Sequence, residues 1–171
     1  MTNPPRAVCD PCFIGDGQQI KIRTQQLLGV ESAGEGIVNT AQLNRAIIEQ
    51  YRAGCAIAGI DRDALLLLTT VGRRSRRPHT VPLMFHREGV RLITIGGNLG
   101  ADTHPDWYFN LTANPHVTVE VGFESYEAVA EILTGADREQ VWATLQTTYP
   151  ELVDQWARVA RQIPVVALTR A

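Results

Sequence analysis

The sequence predicts an α+β fold: a six-stranded antiparallel sheet with helices grouped at its sides, most simply a small closed or split β-barrel. Three observations carry this expectation. From Ala64 onward the chain breaks into short runs rich in Val, Ile, Leu and Thr, bounded by Gly, Asn and Pro, which is strand chemistry with turn chemistry between. Two of the gaps, Glu88-Gly89 and Gly122-Phe123-Glu124, are short enough for hairpins, and hairpins join antiparallel neighbours. Val117, Val119 and Val121 alternate with Thr118 and Glu120, giving one buried and one wet face, and closing such a sheet removes its exposed edges.

In chain order, residues 1–38 are punctuated by Pro4-Pro5, Pro11, Gly15, Gly17, Gly29, Gly34 and Gly36, and only Ile20 to Val30 has room for a short element. This segment reads as a loosely ordered N-terminal extension to one domain over 39–171. A helix is expected from Thr40 as N-cap through Leu43, Ile47, Ile48 and Tyr51, ending before Gly54. Strands follow at Ala64–Val71, His79–Arg87, Val90–Gly96, His116–Val121, Tyr126–Leu133 and Val165–Thr169. Pro105 in a first-turn position, with Trp107, Tyr108 and Leu111 behind it, predicts a short helix that stops near Asn114-Pro115. Asp137 to Tyr149 and Glu151 to Arg161 have amphipathic helical spacing.

Composition narrows the function. A chain of 171 residues, 44% hydrophobic and 20% charged, has the size and make-up of one globular domain. Sixteen basic residues against 18 acidic ones leave a net charge of −2, so no global field favours a nucleic acid, and any phosphate contact must be local. The longest apolar run, around Ala64 to Leu68, is far short of the roughly 20 residues of a membrane span, which leaves at most peripheral membrane contact. The start lacks the pattern of a secretory signal, and three cysteines, Cys9, Cys12 and Cys55, do not make a disulfide framework; a cytoplasmic protein is expected. Cys9 and Cys12 have the spacing of a redox or metal pair, but no second pair and no partner histidines accompany them.

Two loops stand out chemically. Gly72-Arg73-Arg74-Ser75-Arg76-Arg77-Pro78-His79 sets four guanidiniums and a hydroxyl between two strands, a donor set suited to phosphate or carboxylate. Gly96-Gly97-Asn98-Leu99-Gly100 leads from a strand toward the helix at Pro105, and its glycines let a flat ligand rest on the main chain. Its spacing is not GxGxxG, and Trp107 and Tyr108 behind it read as core. The four histidines lack metal-site spacing and Ser75 lacks the G-x-S-x-G context, so chemistry carried by an organic cofactor is the better reading, with an anionic tail on the arginine loop and a ring on the glycine loop. The arginines alone do not choose among phosphorylated ring cofactors such as FMN.

Leu67-Leu68-Thr69-Thr70-Val71-Gly72-Arg73-Arg74-Ser75, then Pro82-Leu83, Gly100-Ala101, His104 to Leu111 and Asn114-Pro115, together resemble the deazaflavin-dependent nitroreductase family. Leu133-Thr134-Gly135, Tyr149-Pro150 and Ile163-Pro164-Val165-Val166 continue the match in order, so that it spans about Asn44 to Arg170. The resemblance implies a split β-barrel, commonly a homodimer, that uses coenzyme F420, an 8-hydroxy-5-deazaflavin with a phosphate and oligoglutamate tail. It also implies a small-molecule substrate: a quinone or another unsaturated or nitro-containing acceptor.

It further implies that Arg73, Arg74 and Ser75, with His79, hold the tail, that Pro82, Leu83, Gly97, Asn98 and Trp107 contact the cofactor, and that Tyr149 assists protonation. Backbone N–H groups from Gly97 to Gly100 are further candidates to stabilise charge on substrate oxygen. The chain departs from the family pattern where glycine is usual, at Arg76 and Leu99, and where a small hydroxyl residue is common, at Gly97. His79 stands where arginine is frequent, and Leu152 and Gln155 stand where some members carry tyrosines. An FMN-binding split-barrel oxidoreductase and a non-catalytic protein that binds a deazaflavin or another flat ligand are the alternatives.

Overall fold

The computed structural model describes residues 40–150, 156 and 159–171. The expected N-terminal extension lies outside these residues, as do Cys9, Cys12, Leu152 and Gln155, and most of the helix expected over Glu151 to Arg161.

The first helix, α1 (Thr40–Arg52), ends just before Gly54, which takes φ +73°. Strands β1 (Leu65–Val71), β2 (Pro78–Met84), β3 (His86–Glu88) and β4 (Arg91–Ile95) precede α2 (Asp106–Ala113), with β5 (His116–Val121), β6 (Glu124–Ile132), α3 (Gly135–Thr148) and β7 (Val165–Arg170) following. All seven strands form one antiparallel sheet in the order β2-β1-β5-β6-β7-β4-β3. The β3–β4 and β5–β6 connections are two-residue hairpins, with Gly89 and Gly122 at positive φ as their first loop residues.

The expected six strands are seven because the run from His79 to Arg87 is not one strand. Met84 still pairs with Leu65 of β1, but His86 pairs with Ile93 of β4. Only Phe85 separates them, its N–H donating to Ala64 O at 3.0 Å. No Gly or Pro marks the switch, which is why the sequence reads as continuous. The switch has a consequence for shape: β2 and β3 lie at opposite ends of the sheet yet are joined by one residue, so the sheet must curl until its ends meet. Thr94 Oγ1 on β4 donates to Met84 O on β2 at 3.1 Å across this seam.

Alternation along the strands sorts side chains into three cores. Leu66 and Leu68 of β1, Val117 and Val119 of β5, and Val166 and Leu168 of β7 fill the barrel interior with Trp107 and Leu111 of α2. Leu65 and Leu67 point outward under Ile47 and Tyr51 of α1, whereas Val165 and Ala167 meet Val141 and Leu145 of α3, together with Trp156. Strand β1 therefore reads LLLL because both its faces are covered.

Candidate active site

The first loop, Gly72 to Arg77, joins β1 to β2 beyond the last pair, Val71 and Pro78. It is closed by Gly72 N–H to Arg77 O and Arg76 N–H to Gly72 O, both 2.8 Å. A Cβ on Gly72 would sit 2.3 Å from Ser75 Oγ and 2.8 Å from the His79 ring, so the turn is built around an absent side chain. Ser75 Oγ lies 2.8 Å from His79 Nε2 and accepts the Arg77 N–H at 3.3 Å. Below the loop, Asn110 of α2 is buried. Its Oδ1 accepts the Arg73 N–H at 3.0 Å, and its Nδ2 donates to the buried Thr70 Oγ1 at 3.1 Å. The Arg73 guanidinium rests 4.6 Å from the centre of the Phe109 ring. Arg73, Arg74, Arg76 and Arg77 are exposed, and among the described residues no carboxylate pairs with any of them, whereas Arg52, Arg91 and Arg170 all have acidic partners. The loop is a fixed backbone carrying four uncompensated cations.

The second loop begins where β4 ends. Gly96 N–H donates to Pro164 O at 3.0 Å, and a Cβ on the buried Gly97 would meet Trp156 Nε1 at 2.6 Å. Asn98, Leu99 and Gly100 then take φ of 49°, 53° and 80°, three left-handed residues in a row. Asn98 Nδ2 donates to Thr103 O at 2.8 Å. From the far end of the chain, Arg161 donates to Gly96 O (3.1 Å), Gly97 O (2.9 Å), Ala101 O (3.0 Å) and His104 Nδ1 (3.1 Å). Burial, and then the charge of Arg161, push the His104 pKa below its ordinary value, which keeps Nδ1 free to accept and leaves the proton on Nε2.

The two loops are linked. His104 tilts against Tyr108 at 4.7 Å between ring centres and meets the edge of Phe109 at 5.9 Å, and Phe109 carries Arg73. A continuous path of side chains, Arg73, Phe109, His104 and Arg161, thus joins the arginine loop to the glycine loop over the start of α2.

Of the expected site residues, Arg73, Arg74, Ser75 and His79 share the first loop and its exit, and Gly97 and Asn98 share the second. Pro82 and Leu83 lie half-buried on β2 opposite Leu67 and Leu66, with Leu83 packed on the interior core. Trp107 is buried in that core, as its periodicity alone suggested. Tyr149 caps the end of α3, where its hydroxyl lies 3.4 Å from His86 Nδ1 on β3 with the rings edge-on. The sequence reading missed Asn110, Phe109 and His104 as site builders, and Arg161. A lone amide amid the apolar residues of α2 was a usable clue to Asn110; Arg161 ends the Glu151 to Arg161 pattern, and its acceptors lie about sixty residues earlier, so nothing local marks it.

Residues 43–170 match the sequence pattern of the F420H(2)-dependent quinone reductases. The chain belongs to this family. An F420H(2)-dependent quinone reductase of Mycobacterium tuberculosis is 32% identical over 108 residues, which cover 61% of this chain and 72% of that protein. A solved F420-H2-dependent reductase is also 32% identical, with a TM-score of 0.56 over 66% of this chain and 99% of its own. Another solved relative at 32% identity, a domain-swapped dimer, superposes with a TM-score of 0.58 over 75% of this chain and 94% of its own. The heme storage protein HutZ of Vibrio cholerae, at 18% identity and a TM-score of 0.50, shares the fold alone. Family membership makes the protein an F420-dependent reductase of split-barrel architecture.

Proposed function

We infer that the protein reduces a quinone with F420H2, holding the cofactor's anionic tail on Arg73, Arg74 and Ser75 and its ring beside Gly97, Asn98, Pro82 and Leu83. The observation that carries the reading is the arginine loop: four exposed guanidiniums without carboxylate partners among the described residues, on a turn anchored through buried Asn110. Like charges crowded in one turn repel, and a polyanionic ligand relieves that repulsion. A phosphate and a run of carboxylates suit these donors, so the residues present fit the group.

When bound, the reduced deazaflavin supplies a hydride from its ring carbon. The chain's own tasks are to position, to exclude water and to manage a proton. The Gly97–Gly100 turn offers main-chain surface to the ring, with no side-chain bulk at Gly100, where an added Cβ would meet nothing within 4 Å. Leu99, half-exposed on the same turn, supplies apolar area for a quinone. One hydride and one proton convert a quinone to its hydroquinone; in this reading Tyr149 donates that proton through its hydroxyl, which lies 3.4 Å from His86 Nδ1. Among the described residues no helix is long and apolar enough to cross a membrane. A cytoplasmic homodimer with at most peripheral membrane contact is the working assembly, and the domain-swapped relative supports the dimer.

The deciding experiment titrates the purified chain with F420 and with FMN, followed by fluorescence, and then measures F420H2 oxidation with a soluble quinone. Preference for F420 with quinone-dependent turnover is expected. Tight FMN binding with no response to F420 would overturn the reading.

A further inference from the structure

We propose that Arg161 is a positioning residue for the cofactor ring: it builds the glycine loop into a ring support from behind without touching the ligand. The inference rests on the F420 reading above and goes beyond it by assigning the ring and the tail to separate arginines. Arg161 directs four of its N–H bonds into one short segment, reaching the carbonyls of Gly96, Gly97 and Ala101 and the ring of His104. A guanidinium spends its donors this way only where a planar fork matches several fixed acceptors, a pattern that a lysine's single point of charge cannot reproduce.

The turn is closed by its own backbone, Gly100 N–H to Gly97 O at 3.1 Å and Ala101 N–H to Asn98 O at 2.9 Å. Leu99 is nonetheless held in a left-handed conformation that its side chain disfavours and that an asparagine such as Asn98 tolerates better, and Leu99 and Gly100 are exposed rather than packed, so a tether from outside the turn adds to its hold. Among the described residues, the other side-chain tether across the turn is Asn98 to Thr103. With the Gly96 and Gly97 carbonyls aimed at the guanidinium, the planar trans peptides turn the N–H groups of Gly97 and Asn98 to the opposite side. Arg161 therefore sets which side of the loop presents donors to a ligand. The bond to His104 ties that orientation to the Phe109 ring under Arg73.

The test uses two probes, intact F420 and the same 8-hydroxy-5-deazaflavin with only its sugar-alcohol side chain, lacking phosphate and glutamates. Affinities are read from the ring's fluorescence for wild type, Arg161→Ala, Arg161→Lys and Arg73→Ala, with circular dichroism as the check on folding. Loss of the tether should weaken both probes by a similar factor, about tenfold or more, in both Arg161 variants. Arg73→Ala should weaken intact F420 alone. Amide exchange across Gly97 to Ala101 should accelerate in Arg161→Lys, and the absorbance band of the saturated probe should shift from its wild-type position.

If folded Arg161 variants bind the tailless probe as wild type does, the proposal is overturned. So it is if the loss appears only with intact F420, or if both variants fail to fold, which would make Arg161 a stability residue. Failure of the wild type to bind either probe would count against the F420 reading itself, a result separable from all of these.

Discussion

The arginine loop and the glycine loop solve opposite problems with the same side chain. At Gly72 to Arg77 the guanidiniums face solvent without carboxylate partners among the described residues, and the backbone is fixed from below by a neutral amide, Asn110. At Gly96 to Ala101 the guanidinium is turned inward, its donors spent on the loop's own carbonyls, and the outer surface carries no charge of its own before Asp102. In the proposed site a charged ligand would meet free charge on a stiff frame. A flat, mostly apolar ring would meet bare backbone, and there the charge is used as scaffolding.

The largest effect expected from this contrast is on cofactor affinity. Arg73→Ala or Arg74→Ala should each cost about 1.5–3 kcal/mol in F420 binding if each makes a charge-assisted hydrogen bond to the tail, with the fold unchanged. The loss should shrink at high salt, because the loop is exposed. Unaltered affinity in both variants, measured by fluorescence titration beside normal circular dichroism, would mean that the loop is only solvated.

The same substitution made in each loop sharpens the comparison further. At Gly97 an added Cβ runs into the indole of Trp156, a residue buried in the α3 core, so Gly97→Ala should lower stability by about 1–3 kcal/mol as overpacking does. At Gly72 the obstructing atoms are Ser75 Oγ and the His79 ring, both exposed and free to turn away. Gly72→Ala should therefore cost much less stability while breaking the Ser75–His79 bond and weakening tail binding. Thermal melts of the two variants give the answer, and equal losses would show that the loops are not differently supported.

How much of this was legible in the sequence follows from how local each cause is. Strand periods, hairpin glycines and the arginine cluster are short-range features, and from them the α+β barrel and the exposed arginine turn could be read directly. The break at Phe85 was hidden because it depends on which partner each half of the run finds, Leu65 for Met84 and Ile93 for His86. Arg161 was hidden for the same reason, since its acceptors lie about sixty residues earlier. Arg76 and Leu99 stood out as departures at positions where glycine is usual; the structure adds the cause, since both occupy left-handed backbone.

A smaller effect concerns pH. In the folded chain His104 is neutral, its pKa lowered from 6.5 first by burial and then by Arg161, whose own charge is faced by Asp102. The unfolded chain then binds the proton more readily, so the stability contributed by neutral His104 is complete above pH 6.5 and is lost as pH falls below it through the folded value. His104→Asn keeps an acceptor near the position of Nδ1 and cannot titrate. Its melting temperature should fall less than that of the wild type between pH 7 and pH 5, and parallel losses would remove His104 from the account.

The smallest expected effect is at Arg76, and it has a sign that separates the needs of the fold from those of the site. With φ at 57°, Arg76 bears the strain of a side chain in the left-handed region, about 1–2 kcal/mol, which glycine does not. Glycine also loses more freedom on folding, about 0.5–1 kcal/mol, so the net gain from Arg76→Gly should be near 0.5–1 kcal/mol and visible as a melting temperature raised by a few degrees. Removing one of four crowded charges also lessens their mutual repulsion in the free protein. The same removal takes a cation away from the tail, so F420 affinity should drop, but by less than for Arg73, whose backbone is anchored to Asn110 and whose guanidinium is seated on Phe109. A variant both more stable and a weaker binder would show that Arg76 is kept for the ligand at the expense of the turn. A variant that gains stability with undiminished affinity would leave Arg76 outside the tail site and narrow that site to Arg73, Arg74 and Ser75.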